Sequence, residues 1–431
     1  MSKNFFFRFI LFSFFSFVAL SACTEKKIGV SGTPNIVLIV IDTLRSDYLP
    51  FYGASENNTP FLNELARNGA VFTNNFATSP WTAPSTASIL TSLYPIQHGI
   101  LMGRRSTKKL FLRDNSVQLN KIPESVVTIA EEMKSNGYVT FGAADNGNIR
   151  EDSGFAQGFD NFINFQNKGA QNLNSTIKSW KPKFDSSEKY FLYLQYMDPH
   201  HPYIEHKEYF KGQQKEGLAR SIDAYKSELL YVDAKIKEIY DLLNWDKNTI
   251  ILVTSDHGEE FGEHGSIGHG KNLYSEVIRV PLLLYYPAGG IQHARIDNFV
   301  SIIDSLPTLS DLSGIKLSGY HEGISLLPLL KGEKVDPRPI YSHLWKRSKK
   351  GDSIYEVKSI VSLDKRLIQS NKGKTMLFDM ITDFKESNNQ AKKDLLKVKE
   401  LELKLQTLEA SLKIFPREWT SVKLDEEDFE E

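Results

Sequence analysis

A single cysteine, Cys23, stands in 431 residues. The chain can therefore form no intrachain disulfide, no thiolate metal site and, beyond position 23, no cysteine nucleophile. Charge of one sign is equally lacking: 52 basic against 53 acidic side chains leave a formal net charge of −1. That balance offers no global field for nucleic acid or an acidic membrane, so a charged ligand has to be held by local groups. No internal repeat and no long low-complexity tract interrupts the chain. What is present is a 41% apolar composition with 12% aromatic residues, enough for a sizeable core and against general disorder. The length predicts one large domain with a smaller appendage.

The first 23 residues form a separate object. "MSKNFFFRFILFSFFSFVALSAC" places Lys3 and Arg8 ahead of an apolar run that ends in small residues, the pattern of a secretory signal. Its last four residues, "LSAC", resemble a bacterial lipobox, which implies cleavage before Cys23 and acylation of its thiol. An uncleaved membrane anchor is the alternative, disfavoured because Arg8 interrupts a run already short for a span. Either way the body is expected outside the cytoplasm, tethered to a membrane as a lipoprotein of the outer membrane or periplasm. A polar linker (24–34) follows, then an expected main domain (35–331), a C-terminal subdomain (332–415) and a tail (416–431) whose "LDEEDFEE" reads as a solvated acidic end.

"NIVLIVID" is a continuous β-branched run, the signature of a buried parallel strand, and it ends in Asp42. Runs of the same kind occur at 138–144, 190–197, 249–258 and 280–287, with helical patterns such as 126–136 and 224–243 between them. This alternation predicts an α/β fold, a large and mostly parallel sheet with helices on both faces. After residue 332 a strand-like "SIVSLDKRLIQ" and a helix with Leu401, Leu405, Leu408 and Leu412 on one face predict a small packed subdomain.

Ligands of such sheets bind beyond the carboxyl ends of the strands. Polar clusters fall there: Asp42, "MDPHHPY" with His200 and His201, and Asp256 with His257. Asp42, Asp256 and His257 offer two carboxylates and an imidazole, a hard mixed donor set suited to a divalent cation such as Zn, Mn, Mg or Ca. "SPWTAPSTASILTSLYPIQHG" (79–99) is a turn feeding a helix N-terminus, with Thr82 placed either to cap it or to attack an ester. A threonine hydroxyl is a poor nucleophile at neutral pH, and a bound cation would lower its pKa, so Thr82 is also the expected fourth ligand. Taken one at a time, these residues read better as turn and cap residues; their joint occurrence at successive strand ends favours a site.

Five motifs, in order, carry a resemblance: "NIVLIVIDTLRSDYLPFYG", "SPWTAPSTASILTSLYPIQHG", "MDPHHPY", "VTSDHGEEFGEHGSIGHGKNLYSEVIRVPLLLYYP" and "LFDMITDFKESNN". Together they resemble the sulfatase family within the alkaline phosphatase superfamily, over about residues 35–389. The resemblance implies an alkaline phosphatase-like domain with a small C-terminal antiparallel subdomain, and in-line attack on a sulfate or phosphate ester through a covalent intermediate. By position it implies that Asp42, Asp256 and His257 are metal ligands and Thr82 the nucleophile. It sets His200 against the oxyanion or leaving group, and His269, in "GHGK", beside the leaving oxygen or as a further ligand. Lys271 and His264 are neighbours with weaker claims, His264 reading as a loop residue.

The departures from the family pattern matter more. Where family sulfatases carry a cysteine or serine oxidised to formylglycine and an arginine four residues later, this chain has Thr82 and Thr86. Threonine cannot become that aldehyde, so a plain hydroxyl must form an ester that water or an acceptor alcohol later cleaves. Thr43 replaces a second aspartate, which favours a transition metal over Ca. "AADNGN" lacks the lysine and histidine expected around a sulfate, leaving Asn146 as a hydrogen-bond donor to substrate. The favoured expectation is a metal-dependent hydrolase or transferase of phosphate mono- or diesters. Its substrate would be an anionic ester, glycan or lipid linked, with no role for nucleic acid. The alternatives are a sulfuric ester hydrolase without formylglycine and an inactive, surface-tethered binding protein.

Overall fold

The computed structural model describes residue 28 and residues 32–212, 216–246, 248–348 and 353–422. The signal segment with Cys23, most of the linker and the terminal acidic run lie outside the described residues.

Asn35–Ile41 is the central strand, paired in parallel with Tyr190–Tyr196 on one side and Thr249–Thr254 on the other. Its side chains alternate between two cores. Ile36, Leu38 and Val40 enter one apolar cluster, while Val37, Ile39 and Ile41 enter the other. A strand buried on both faces has no polar side to show, which is why it reads as an unbroken apolar run. Each such side chain contributes about 1.5–3 kcal/mol on burial.

Across the sheet the order is Ala294–Ser301, Ala70–Phe76, Leu282–Tyr285, Thr249–Thr254, Asn35–Ile41, Tyr190–Tyr196, Val139–Ala144 and Asn161–Asn164, with Arg279–Val280 also pairing with Ala70–Phe76. Only the line of Arg279–Val280 and Leu282–Tyr285 runs antiparallel to its neighbours. This corrects the sequence expectation for 280–287, because a continuous apolar run reports burial on both faces and not direction. Helices Thr82–Thr91, Ile129–Ser135 and Ser305–Leu312 cover one face; Pro60–Arg67, Ala170–Ser186 and Gly217–Leu243 cover the other.

The C-terminal subdomain is a four-stranded antiparallel sheet, Ile340–Arg347, Ile354–Ser362, Lys365–Ser370 and Thr375–Asp379. The segment read as one strand, "SIVSLDKRLIQ", is a hairpin that turns at Leu363, whose φ is 56°. Leu401 and Leu405 of helix Leu395–Ser411 pack on this sheet, as the leucine stripe predicts. The sheet is not an independent body. Ile340, Leu344, Val357 and Ile368 share a core cluster with the main sheet, and buried Arg366 bridges Glu386 to the Leu273 carbonyl and the Ser275 hydroxyl. The start of the expected tail is also structured, since Glu418–Thr420 pairs with Leu119–Lys121. Among the described residues no helix is long and apolar enough to cross a membrane.

Candidate active site

Strand ends bring the cluster together. Asp42 follows the central strand, its amide still bonded to the Tyr196 carbonyl at 2.9 Å. Asp256 and His257 follow the adjacent strand, where Ser255 fixes the turn by donating to the His257 carbonyl at 2.6 Å and accepting from Leu44 N at 3.0 Å. Thr82 is the first residue of helix Thr82–Thr91, and Trp81 occupies the capping position. The hydroxyl of Thr82 is therefore not the helix cap. It donates to Asp42 Oδ2 at 3.3 Å and lies 3.3 Å from His257 Nε2. Ser85 on the same helix donates to the Asp256 carbonyl at 2.5 Å and so locks helix to strand end.

Asp42, Asp256 and His257 are all buried, with ligand atoms within 4.8 Å of one another. Among the described residues Asp42 Oδ1 has no hydrogen-bond partner, an arrangement that costs about 1–3 kcal/mol unless something fills it. His257 Nδ1 is engaged by the Gly258 carbonyl at 2.9 Å, which leaves Nε2 as the ligating nitrogen, the usual arrangement behind a metal-bound imidazole. An orphaned carboxylate oxygen, a second carboxylate and an oriented imidazole fit a divalent cation, and Thr82 lies where it would complete the set.

Electrostatics point the same way. Burial pushes Asp256 up to about 7; burial and the Asp256 charge also raise Asp42. Burial holds His257 down to about 4, keeping the imidazole neutral. The pocket resists two bare negative charges, and a cation removes that penalty.

Asn146 enters the cluster, donating to Asp42 Oδ2 at 2.8 Å and reaching Thr82 Oγ1 at 3.5 Å. His200 and His269 sit beside it, their ring centroids 5.0 Å apart, with His269 4.3 Å from His257. Burial lowers His200. For His269 burial acts downward as well, but the hydrogen bond and charge of Glu259 outweigh it and the pKa is raised. Lys271 is exposed and its ammonium donates to the Ile267 carbonyl, so the structure does not bond it to this group. His264 stacks on Tyr274 and bonds Glu276 at 2.7 Å, as a loop residue.

Three features escaped sequence reasoning. Thr43 is held at φ 56°, a position costing of order 1–3 kcal/mol for a β-branched residue; its hydroxyl donates to the Asp42 carbonyl at 2.7 Å and its amide serves the Asp256 carboxylate. Thr86 donates to Gln195 at 3.3 Å, and Gln195 in turn donates to Asp256 Oδ2 at 3.4 Å. A chain of hydrogen bonds thus links Thr86 through Gln195 to Asp256. Glu259 joins His269 to Tyr203; its only signal was its place directly after "SDHG".

Comparison with known proteins follows this geometry. A family model described as Sulfatase matches residues 34–315, and one described as N-sulphoglucosamine sulphohydrolase, C-terminal, matches residues 262–411. The chain belongs to the sulfatase family. It is 25% identical over 441 residues to an arylsulfatase of Clostridium perfringens, covering 83% of this chain and 90% of that one. It is 28% identical over 370 residues to an ulvan-active sulfatase of Formosa agariphila, covering 73% and 69%. A solved 2-O GAG sulfatase shares the fold with a TM-score of 0.73 at 20% identity, covering 88% of this chain and 92% of that one. The phosphonate monoester hydrolase of Agrobacterium radiobacter does so with 0.67 at 18% identity, covering 88% and 95%. Sulfatase-family proteins are hydrolases, and the relatives named include cleavers of both sulfur and phosphorus esters.

Proposed function

We propose that this sulfatase-family chain is a divalent-metal-dependent hydrolase or transferase of phosphate mono- or diesters, with Thr82 as nucleophile. The observation that carries the reading is the hydroxyl of Thr82 at 3.3 Å from both Asp42 and His257. That side chain cannot be oxidised to a formylglycine aldehyde, and Thr86, bonded to Gln195, brings no positive charge for a sulfate where the family resemblance calls for an arginine.

Asp42, Asp256, His257 and Thr82 would hold the cation, with Mn or Zn best matched to one imidazole and two carboxylates. When bound, it supplies Lewis acidity, lowering the proton affinity of the Thr82 hydroxyl, whose proton goes to solvent, and screening the ester's charge. Thr82 Oγ1 bonds to phosphorus as the bond to the leaving oxygen breaks, and His269 or His200 delivers the proton that oxygen needs. Water or an acceptor alcohol then attacks the Thr82 ester and yields its proton to the same imidazole, while the Thr82 oxygen leaves phosphorus and regains its proton from solvent. Asn146 keeps Asp42 and Thr82 aligned and is in reach of an ester oxygen beside them.

Sulfuric ester hydrolysis without formylglycine is the second reading, supported by relatives named as sulfatases, among them an ulvan-active one. A substrate linked to glycan or lipid, and attachment to a membrane through acylated Cys23, complete the proposal. The experiment is a rate comparison on residues 24–431 loaded with Mn²⁺ or Zn²⁺, using matched aryl sulfate, phosphate monoester and phosphodiester beside Thr82→Ala. Phosphoester turnover abolished by Thr82→Ala is expected; dominant sulfate turnover overturns the reading.

A further inference from the structure

Glu259 is buried, yet among the described residues its carboxylate pairs with no lysine or arginine; Arg45 binds only its backbone carbonyl, at 2.9 Å. Its Oε1 takes a hydrogen bond from His269 Nδ1 at 2.9 Å and its Oε2 one from the Tyr203 hydroxyl at 2.9 Å. Those partners come from different loops, one carrying His269 and the other carrying His200. The carboxylate itself sits three residues beyond Asp256. A buried charge kept only for packing is weakly justified, since an apolar or amide side chain of like volume would serve the fold as well or better.

We propose that Glu259 is the positioning residue for His269, fixing both the direction and the tautomer of its ring. With Nδ1–H committed to Glu259, Nε2 is the nitrogen left for an ester's leaving oxygen, on a ring whose centroid lies 5.0 Å from that of His200 and 4.3 Å from that of His257. Tyr203 holds the other oxygen of Glu259, so the loop bearing His200 and the loop bearing His269 share one carboxylate as their reference point. The inference rests on the reading that this cluster cleaves an ester, and it applies to either ester class.

Two readouts test it. In nitrogen-detected NMR of the wild-type protein, at a pH where the ring is neutral, His269 should carry its proton on Nδ1, and Glu259→Gln should lose that preference. This readout needs no turnover, so it stands even if the ester reading fails. Kinetically, Glu259→Gln should lower kcat/KM, which reports formation of the Thr82 ester, about 10–100-fold on an alkyl ester. On a p-nitrophenyl ester, whose leaving group needs no proton, kcat/KM should change by less than about threefold, while the later hydrolysis of the Thr82 ester slows alike for both substrates. Adding Glu259→Gln to His269→Ala should cost nothing further. Equal losses of kcat/KM on both esters, additive losses in the double variant, or a wild-type ring protonated on Nε2 would overturn the proposal. Activity surviving in Thr82→Ala would instead strike at the ester mechanism.

Discussion

Asp42→Asn is predicted to make the cation-free protein more stable while abolishing its response to metal. The carboxylate is fully buried, its Oδ1 has no partner among the described residues, and the Asp256 charge faces it. An asparagine of the same shape keeps an oxygen for the Asn146 amide, which donates to Asp42 Oδ2 at 2.8 Å, and removes the unmatched charge. The new amide nitrogen still lacks an acceptor, so the gain comes only from removing a buried charge that faces Asp256, on the order of 1 kcal/mol. Domains of 150–250 residues move by roughly 2–4 °C per kcal/mol, so a melting temperature higher by a few degrees in EDTA is expected. Wild type should gain about 4 kcal/mol from a cation at a thousandfold excess over its Kd, whereas the variant should gain almost nothing. The melting curves should therefore cross in order between EDTA and saturating Mn²⁺ or Zn²⁺. A variant less stable than wild type in EDTA would refute the burial argument, and an equal cation response would remove Asp42 from the ligand set.

Cation affinity should fall by about tenfold or more per pH unit below about 7, because Asp256 is pushed up to about 7 and Asp42 is raised too, while His257, held at about 4, stays neutral. Titration calorimetry at several pH values reads this, and a flat profile would contradict it. For stability without cation the signs oppose: raised Asp256 and Asp42 give stability that is lost as pH rises, for Asp256 from about 4 to about 7, while lowered His257 gives stability lost as pH falls through about 6.5 to about 4, so within the cluster His257 only partly offsets the two carboxyls. Gly258→Ala would put a Cβ 2.1 Å from the Glu276 carbonyl oxygen. Denaturation should show a loss of about 1–3 kcal/mol, and cation affinity should drop with it because His257 and Glu259 flank the shift. Arg366→Met should cost about 3–5 kcal/mol by stranding buried Glu386, with recovery when Glu386→Gln is added; no recovery would refute the pairing.

The centre of the fold was legible because burial on both faces writes an unbroken β-branched run, and each such run pointed to a polar residue at its carboxyl end. Asp42, Asp256 and His257 followed from that pattern together with the family resemblance. The edge of the sheet was not legible: Ala70–Phe76 is fully buried yet carries Thr73, Asn74 and Asn75. Two of these side chains donate to Asp297, Thr73 to its carboxylate at 2.7 Å and Asn74 to its carbonyl at 2.8 Å, a contact more than two hundred residues away that no local pattern announces. Glu259 stayed hidden for the same reason, since its meaning depends on Tyr203 and His269 meeting it from separate loops. Thr86 was legible as a missing cation, but its engagement with Gln195 needed the neighbouring strand.

The most direct test of the central claim is peptide mapping by mass spectrometry after rapid acid quench of the metal-loaded enzyme turning over a phosphodiester. The account predicts one phosphoryl-ester increment on the peptide containing Thr82, absent from Thr82→Ala. An unmodified Thr82 peptide together with undiminished turnover in Thr82→Ala would contradict it.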